Sequence, residues 1–201
     1  MSLVRSIAGS ALVAVGLAVG RLQQVVPAAR GRHLGADEER LLRTVFDDTL
    51  PLERIRIVPG RRAAGIFGLS RRAVTLGTTV YLKGDRRDSL LVHESVHVWQ
   101  YRRRGMRYAA DAVVAQTVGH GYDWRGAVAA GASRWSDLDV EGQAQYVQDL
   151  YETGSGVEDG RVVVGGGAYF RAYDAGAVRD HPGHRALADD ALTTLRGRPA
   201  T

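Results

Sequence analysis

The stretch Leu90-Leu91-Val92-His93-Glu94-Ser95-Val96-His97-Val98-Trp99-Gln100 constrains this chain more than any other. It holds His-Glu-x-x-His inside an apolar run that reads as a helix. On an α-helix, residues four apart differ by about 40° in azimuth and about 6 Å in height. The imidazoles of His93 and His97 can therefore converge on one ion, and zinc, at about 2.0–2.1 Å from a histidine nitrogen, is the usual occupant. Glu94 lies on the adjoining edge of that face. From there it can take a proton from a metal-bound water rather than ligate the metal.

The chain has no cysteine. A disulfide framework and a thiolate metal site are both excluded, so any metal must rest on histidine and carboxylate. The net charge is +5, with Lys83 the only lysine. That charge is unevenly placed. Arg54 to Arg107 carries 13 basic and 3 acidic residues, a local +10, whereas Ser136 to Gly160 carries 7 acidic and none basic. Internal complementarity, an anionic partner surface and a plain solvated face all fit this split. Aromatic residues do not interleave with the arginines as base-stacking surfaces require, so no nucleic acid is expected.

Residues 1–35 read as an N-terminal apolar helix followed by a linker, and residues 36–201 as the main domain. Ser6 to Gly20 is uncharged between Arg5 and Arg21. It is short for a transmembrane helix, which needs about 20 residues. A signal or anchor, a membrane-surface or partner-binding helix over residues 3–26, and an ordinary packed helix all remain open. Membrane association or export is favoured over a purely cytoplasmic setting. Pro27 to Gly35 reads as linker.

Asp37 offers an N-cap for a helix through Leu50, and Pro51 stops it. Ile55 to Val58 alternates as a strand, and Val74 to Leu82 reads as one longer strand with a glycine kink. The motif helix is predicted from Ser89 to Arg104, with Gly105 closing it. Tyr108 to Val118 reads as a further helix. Trp124 and Trp135 read as packing anchors, as does Trp99, which lies opposite the metal-facing stripe. Asp137 to Thr153 reads as a helix with Val140, Ala144, Val147 and Tyr151 on one stripe. Val157 to Val164 reads as a short strand and Ala186 to Arg196 as a terminal helix. The order implies an α+β domain, a small mixed or antiparallel sheet packed on helices that include the motif helix. Thr75 to Leu82 is the candidate edge on which an extended peptide could add.

A catalytic zinc site keeps three protein ligands and one open position. Glu141 is the favoured third ligand, because it is the one carboxylate a step from the buried stripe of its helix. His120, in a glycine-flanked loop, is the alternative, with His181 and His184 more remote. Asp137 and Asp139 sit where a helix cap is needed. His120, Tyr122 and Tyr146 are candidate donors to a transition-state oxyanion or to substrate. Gln100 shares the His93–His97 face and reads equally as a site border or a surface residue. Asp149 and strand carbonyls are candidate partners for the second imidazole nitrogens.

Val74 to Tyr101 together with Glu141-Gly142-Gln143-Ala144-Gln145-Tyr146 resembles a bacterial family of small zinc metallopeptidases, zincins of gluzincin-like type. Members show a Leu-Gly strand ending in Tyr, then His-Glu-x-x-His-Val-Trp-Gln-Tyr, then Glu-x-Gln-Ala. The resemblance runs from Ile55 to Tyr151. It implies a zincin-like fold, Zn2+ held by His93, His97 and Glu141, Glu94 as the catalytic base, and a peptide or protein substrate. Two other readings are a non-catalytic zincin-like module used for docking or structure, and a membrane-peripheral interaction protein.

Overall fold

A computed structural model describes residues 31–60, 72–105, 122–159, 161–164 and 182–197. The chain is a mixed α+β protein. Its four-stranded sheet has the order β1-β2-β4-β3, formed by β1 (Arg32–His33), β2 (Arg56–Val58), β3 (Val74–Leu76) and β4 (Thr79–Tyr81). β2 and β4 run parallel, while β1 and β3 flank them antiparallel. The described helices are α1 (Ala36–Phe46), α2 (Asp88–Arg104), α3 (Trp124–Ala129), α4 (Val140–Asp149) and α5 (Pro182–Leu195). β5 (Ser155–Glu158) and β6 (Arg161–Val164) make a separate hairpin.

Every residue of α2 from Leu91 to Gln100 is buried. A helix buried on nearly all sides lies at the centre of a fold, where its polar residues need partners of their own. α2 accordingly packs most extensively against α4 and also meets β3, β4 and α1. Ile57, Val80, Val92, Val96 and Phe46 share one continuous core with Trp99 and Trp135. Trp99 is indeed core. Its ring is edge-on to Trp135 at 5.5 Å, and its Nε1–H donates to the Leu195 carbonyl at 3.0 Å. Among the described residues no helix is long and apolar enough to cross a membrane. The predicted apolar helix and the predicted helix over Tyr108–Val118 lie outside the described residues.

Several elements differ from their sequence reading. Val74–Leu82 is not one kinked strand but a tight hairpin, with Leu76 opposite Thr79. Gly77 takes φ 62° at the first loop position, where a two-residue turn of the II′ kind prefers glycine. Of this hairpin only β3 lies at a sheet edge; β4 is interior, with β2 and β3 on its two sides. Val157–Val164 likewise splits into a hairpin. Arg32–His33, read as linker, pairs with β2, and the Arg32 guanidinium grips both oxygens of Glu38 at 2.6 Å. Glu38 also accepts from the Gly35 N–H at 2.7 Å, so Gly35 is the N-cap of α1 and Asp37 is not. α1 stops at Phe46, short of Leu50, where Asp47 turns to φ 50°. α4 starts at Val140 behind Asp139, whose carboxylate accepts from the Gly142 N–H at 2.7 Å, and a wider helical turn continues over Leu150–Gly154.

Candidate metal centre

The close packing of α2 on α4 brings two sequence-distant motifs together. His93, His97 and Glu141 are each buried, and one ligand atom from each lies within 4.8 Å of the others. The Glu141 Oε2 atom is 3.8 Å from His93 Nε2 and 3.5 Å from His97 Nε2. A tetrahedral ion with bonds of about 2.0–2.1 Å holds its ligand atoms about 3.3 Å apart. These separations are therefore close to the edges of a coordination tetrahedron, and the group could hold a metal ion. Two imidazoles and a carboxylate form a donor set suited to a borderline divalent cation. The imidazole rings are 5.0 Å apart and nearly perpendicular, at 82°.

The orientation of His97 is set by two amides, Gln100, which the sequence places on the His93–His97 face as either a site border or a surface residue, and Gln143, to which it gives no role. Gln100 is fully buried. Its Nε2 donates to the Val140 carbonyl at 3.0 Å and to Gln143 Oε1 at 2.8 Å. Gln143 Nε2 in turn donates to the carbonyls of Leu138 at 3.0 Å and Trp135 at 3.3 Å. A carbonyl only accepts, so neither amide can be flipped without opposing oxygen to oxygen. Gln100 Oε1 must then face His97 Nδ1, 2.8 Å away, and Nδ1 must be the donor. In the neutral ring this leaves the Nε2 lone pair for a metal. Asp149 does not take this role. It accepts from Trp124 Nε1 at 2.8 Å, Arg125 at 3.0 Å and Gln145 at 2.8 Å. The Gln100 carbonyl supplies the second contact of His97, while His93 Nδ1 is buried with no hydrogen-bond partner among the described residues. Gln100→Met should weaken zinc binding by about 10–100-fold, the usual cost of losing an outer-shell partner, measured by competition with a chromophoric chelator.

Burial opposes a charge on His97, but hydrogen bonding and charge from Glu141, with Glu94 and Gln100 in support, outweigh it and push its pKa up to about 9. A metal must displace that proton. Zinc affinity should therefore climb by up to ~10-fold per pH unit from neutrality toward pH 9, with proton release seen by calorimetry in buffers of different ionisation heat. The metal-free fold should show the opposite slope. A raised histidine pKa stabilises below the unfolded value of 6.5 and loses that contribution as pH rises through about 9.

Glu94 is buried beside the metal position but is not part of the three-ligand group. The Thr75 hydroxyl on edge strand β3 donates to Glu94 Oε2 at 2.7 Å, fixing the carboxylate. Tyr122 stacks on His93 at 6.0 Å, within reach of the Glu141 charge. Burial and the Glu141 charge, against the opposing effect of Arg72, push its hydroxyl up to about 12, so it remains a proton donor at neutral pH. Tyr146 is fully buried, edge-on to Trp124 at 4.9 Å, and is not among the residues lining the cleft. His120 and His181 lie outside the described residues, as does the side chain of His184.

His93, Glu94 and Tyr122 open onto a cleft of about 440 Å³, also lined by Arg72, Lys83, Arg87 and Gln148. The site thus combines three donors that could hold a metal ion, a tethered carboxylate, a neutral phenol and room for a ligand. Comparison of the chain with protein-family models, with curated proteins and with solved structures finds no match.

Proposed function

We propose that this protein is a zinc-dependent metallopeptidase with a zincin-like site. The observation that carries the reading is the convergence of His93, His97 and Glu141 from two packed helices, with Glu94 beside them but outside the ligand set. Zinc, when bound by these three residues, acts as a Lewis acid and lowers the pKa of a coordinated water from 15.7 toward about 7. Glu94 accepts the proton of the attacking water and passes it to the leaving amine. The Thr75 hydroxyl holds one Glu94 oxygen and so keeps the carboxylate aimed. Tyr122, protonated at working pH and stacked on His93, donates to the developing oxyanion. Gln100 and Gln143 keep the His97 ring in its ligating tautomer. The substrate is an unfolded or extended peptide segment entering the cleft beside β3.

The test is cleavage of casein and of a mixed peptide library by zinc-loaded protein, with Glu94→Gln as the paired control. Cleavage that follows metal and disappears in the control supports the reading. Stoichiometric zinc with no cleavage of any peptide would contradict it and leave a non-catalytic metal-binding module.

A further inference from the structure

Gln148 lines the cleft together with His93, Glu94 and Tyr122. It is 8% exposed, so more than nine-tenths of it is enclosed by protein. A buried amide normally finds partners for both its N–H donors and its carbonyl oxygen. The neighbouring amides do so. Gln100 and Gln143 bond to each other and to the carbonyls of Val140, Leu138 and Trp135, and Gln145 donates to Asp149 at 2.8 Å. The charged groups of the same wall are committed as well. Arg87 is held by Asp85 at 2.9 Å and Glu94 by Thr75 at 2.7 Å, and Arg72 and Lys83 have interactions of their own. Gln148 differs from all of these. Among the described residues neither its Nε2 nor its Oε1 has a hydrogen-bond partner, and neither atom is sealed from the cleft.

Its place on α4 relates it to the metal position. Glu141 and Gln148 are seven residues apart in one helix, so they share a face to within about 20° and stand about 10 Å apart along the axis. α4 runs antiparallel to α2 here. Gln100 meets Val140 and Gln143 at one end, and Tyr151 feels the charge of Asp88 at the other. The cleft therefore follows α4 away from Glu141 toward Gln148. An extended peptide rises about 3.3 Å per residue, so about three residues cover that distance. The chemistry of the free amide narrows what it can meet there. A cation satisfies its oxygen and opposes its nitrogen, and a carboxylate does the reverse. A second amide, with one N–H beside one C=O, satisfies both.

We propose that Gln148 is a substrate-binding residue whose amide pairs with an amide of the bound peptide about three residues from the metal position. The partner is either a main-chain peptide group or the side chain of an Asn or Gln. The inference rests on the metallopeptidase reading for the nature of the ligand, but peptide binding does not require turnover.

Binding is therefore measured on zinc-loaded Glu94→Gln protein by fluorescence anisotropy of two labelled hexapeptides, hexa-alanine and Ala-Ala-Gln-Ala-Ala-Ala. Adding Gln148→Leu, which is similar in size and carries no polar atom, should weaken binding about tenfold, the loss of two neutral hydrogen bonds. A loss with both peptides identifies a main-chain partner, and a loss with the glutamine peptide alone identifies a side-chain amide. Tm should stay level or rise, because no hydrogen bond within the protein is given up. Gln148→Met repeats both measurements in a more flexible side chain should the leucine variant fail to fold. Unchanged affinity in the apolar variants, no binding of either peptide, or a fall in Tm in both variants would overturn the proposal, the last by showing the amide to be structural. Absence of hydrolysis by zinc-loaded wild type, with the Gln148-dependent binding intact, would instead contradict the metallopeptidase reading alone.

Discussion

Glu94→Gln protein is expected to bind zinc as the wild type does and to lose peptide hydrolysis by about 10²–10⁴-fold, the contribution of a well-placed general base. Two features make this substitution informative. Glu94 lies outside the group of three residues that could hold a metal, so the ligand set is untouched. A glutamine of the same shape can still accept the Thr75 hydroxyl through its carbonyl oxygen, so the buried contact at 2.7 Å survives. Glu94 is one of the charges that hold the proton on His97, and the same charge also favours a cation in the site, so its removal acts on the proton and on the metal in opposing directions. A fall in activity accompanied by a fall in metal content would mean that Glu94 is a ligand. Unchanged activity would mean that the proton goes elsewhere. Mass-spectrometric metal content and initial rates on the same preparation separate these outcomes.

Loss of a ligand should act in the opposite order, on the metal first. If an apparent zinc-binding free energy of about 10–16 kcal/mol is shared among three ligands, removing one costs on the order of 10³-fold in affinity. Glu141→Ala and His93→Ala should each show this by chelator competition. The effect reaches stability, because an ion that binds only the folded chain stabilises it. At a thousandfold excess over Kd the gain is about 4.1 kcal/mol. For a chain of this size each kcal/mol moves Tm by roughly 2–4 °C. Zinc should thus raise the wild-type Tm by about 8–16 °C, reversibly with EDTA, and should do little for Glu141→Ala. Glu141 has a second role in the metal-free protein, where it helps keep His97 charged. Glu141→Ala should therefore also flatten the loss of metal-free stability between pH 6.5 and about 9.

What could be read from the sequence was local. The His93–His97 spacing fixes a shared helical face whatever surrounds it. The buried stripe of Val140, Ala144 and Val147 locates α4, whereas the choice of Asp139 over Asp137 as its cap is visible only in the fold. Trp99, Trp124 and Trp135 are too large to leave in water, and all three are core. What escaped depends on partners far along the chain. The β-branched run from Val74 to Tyr81 suits one strand or two, and only the pairing of Thr75 with Val80 shows that it folds back. Arg32–His33 has no strand pattern of its own; its order comes from β2 and from Glu38. Gln100 reads equally as a site border or a surface residue until α4 delivers the Val140 carbonyl and Gln143 to it. Asp149 is drawn away from the site by the Trp124 indole and Arg125. A buried carboxylate takes whatever strong donors packing supplies, and spacing along one helix does not reveal them.

The most direct measurement is X-ray absorption at the zinc edge of the zinc-loaded protein, alongside the Glu141→Ala variant. Two imidazole nitrogens and a carboxylate oxygen at about 2.0–2.2 Å, completed by solvent, are predicted for the wild type, with loss of the carboxylate shell or of the metal in the variant. A protein that stays zinc-free, or one whose zinc environment is the same with and without the Glu141 carboxylate, would contradict the account.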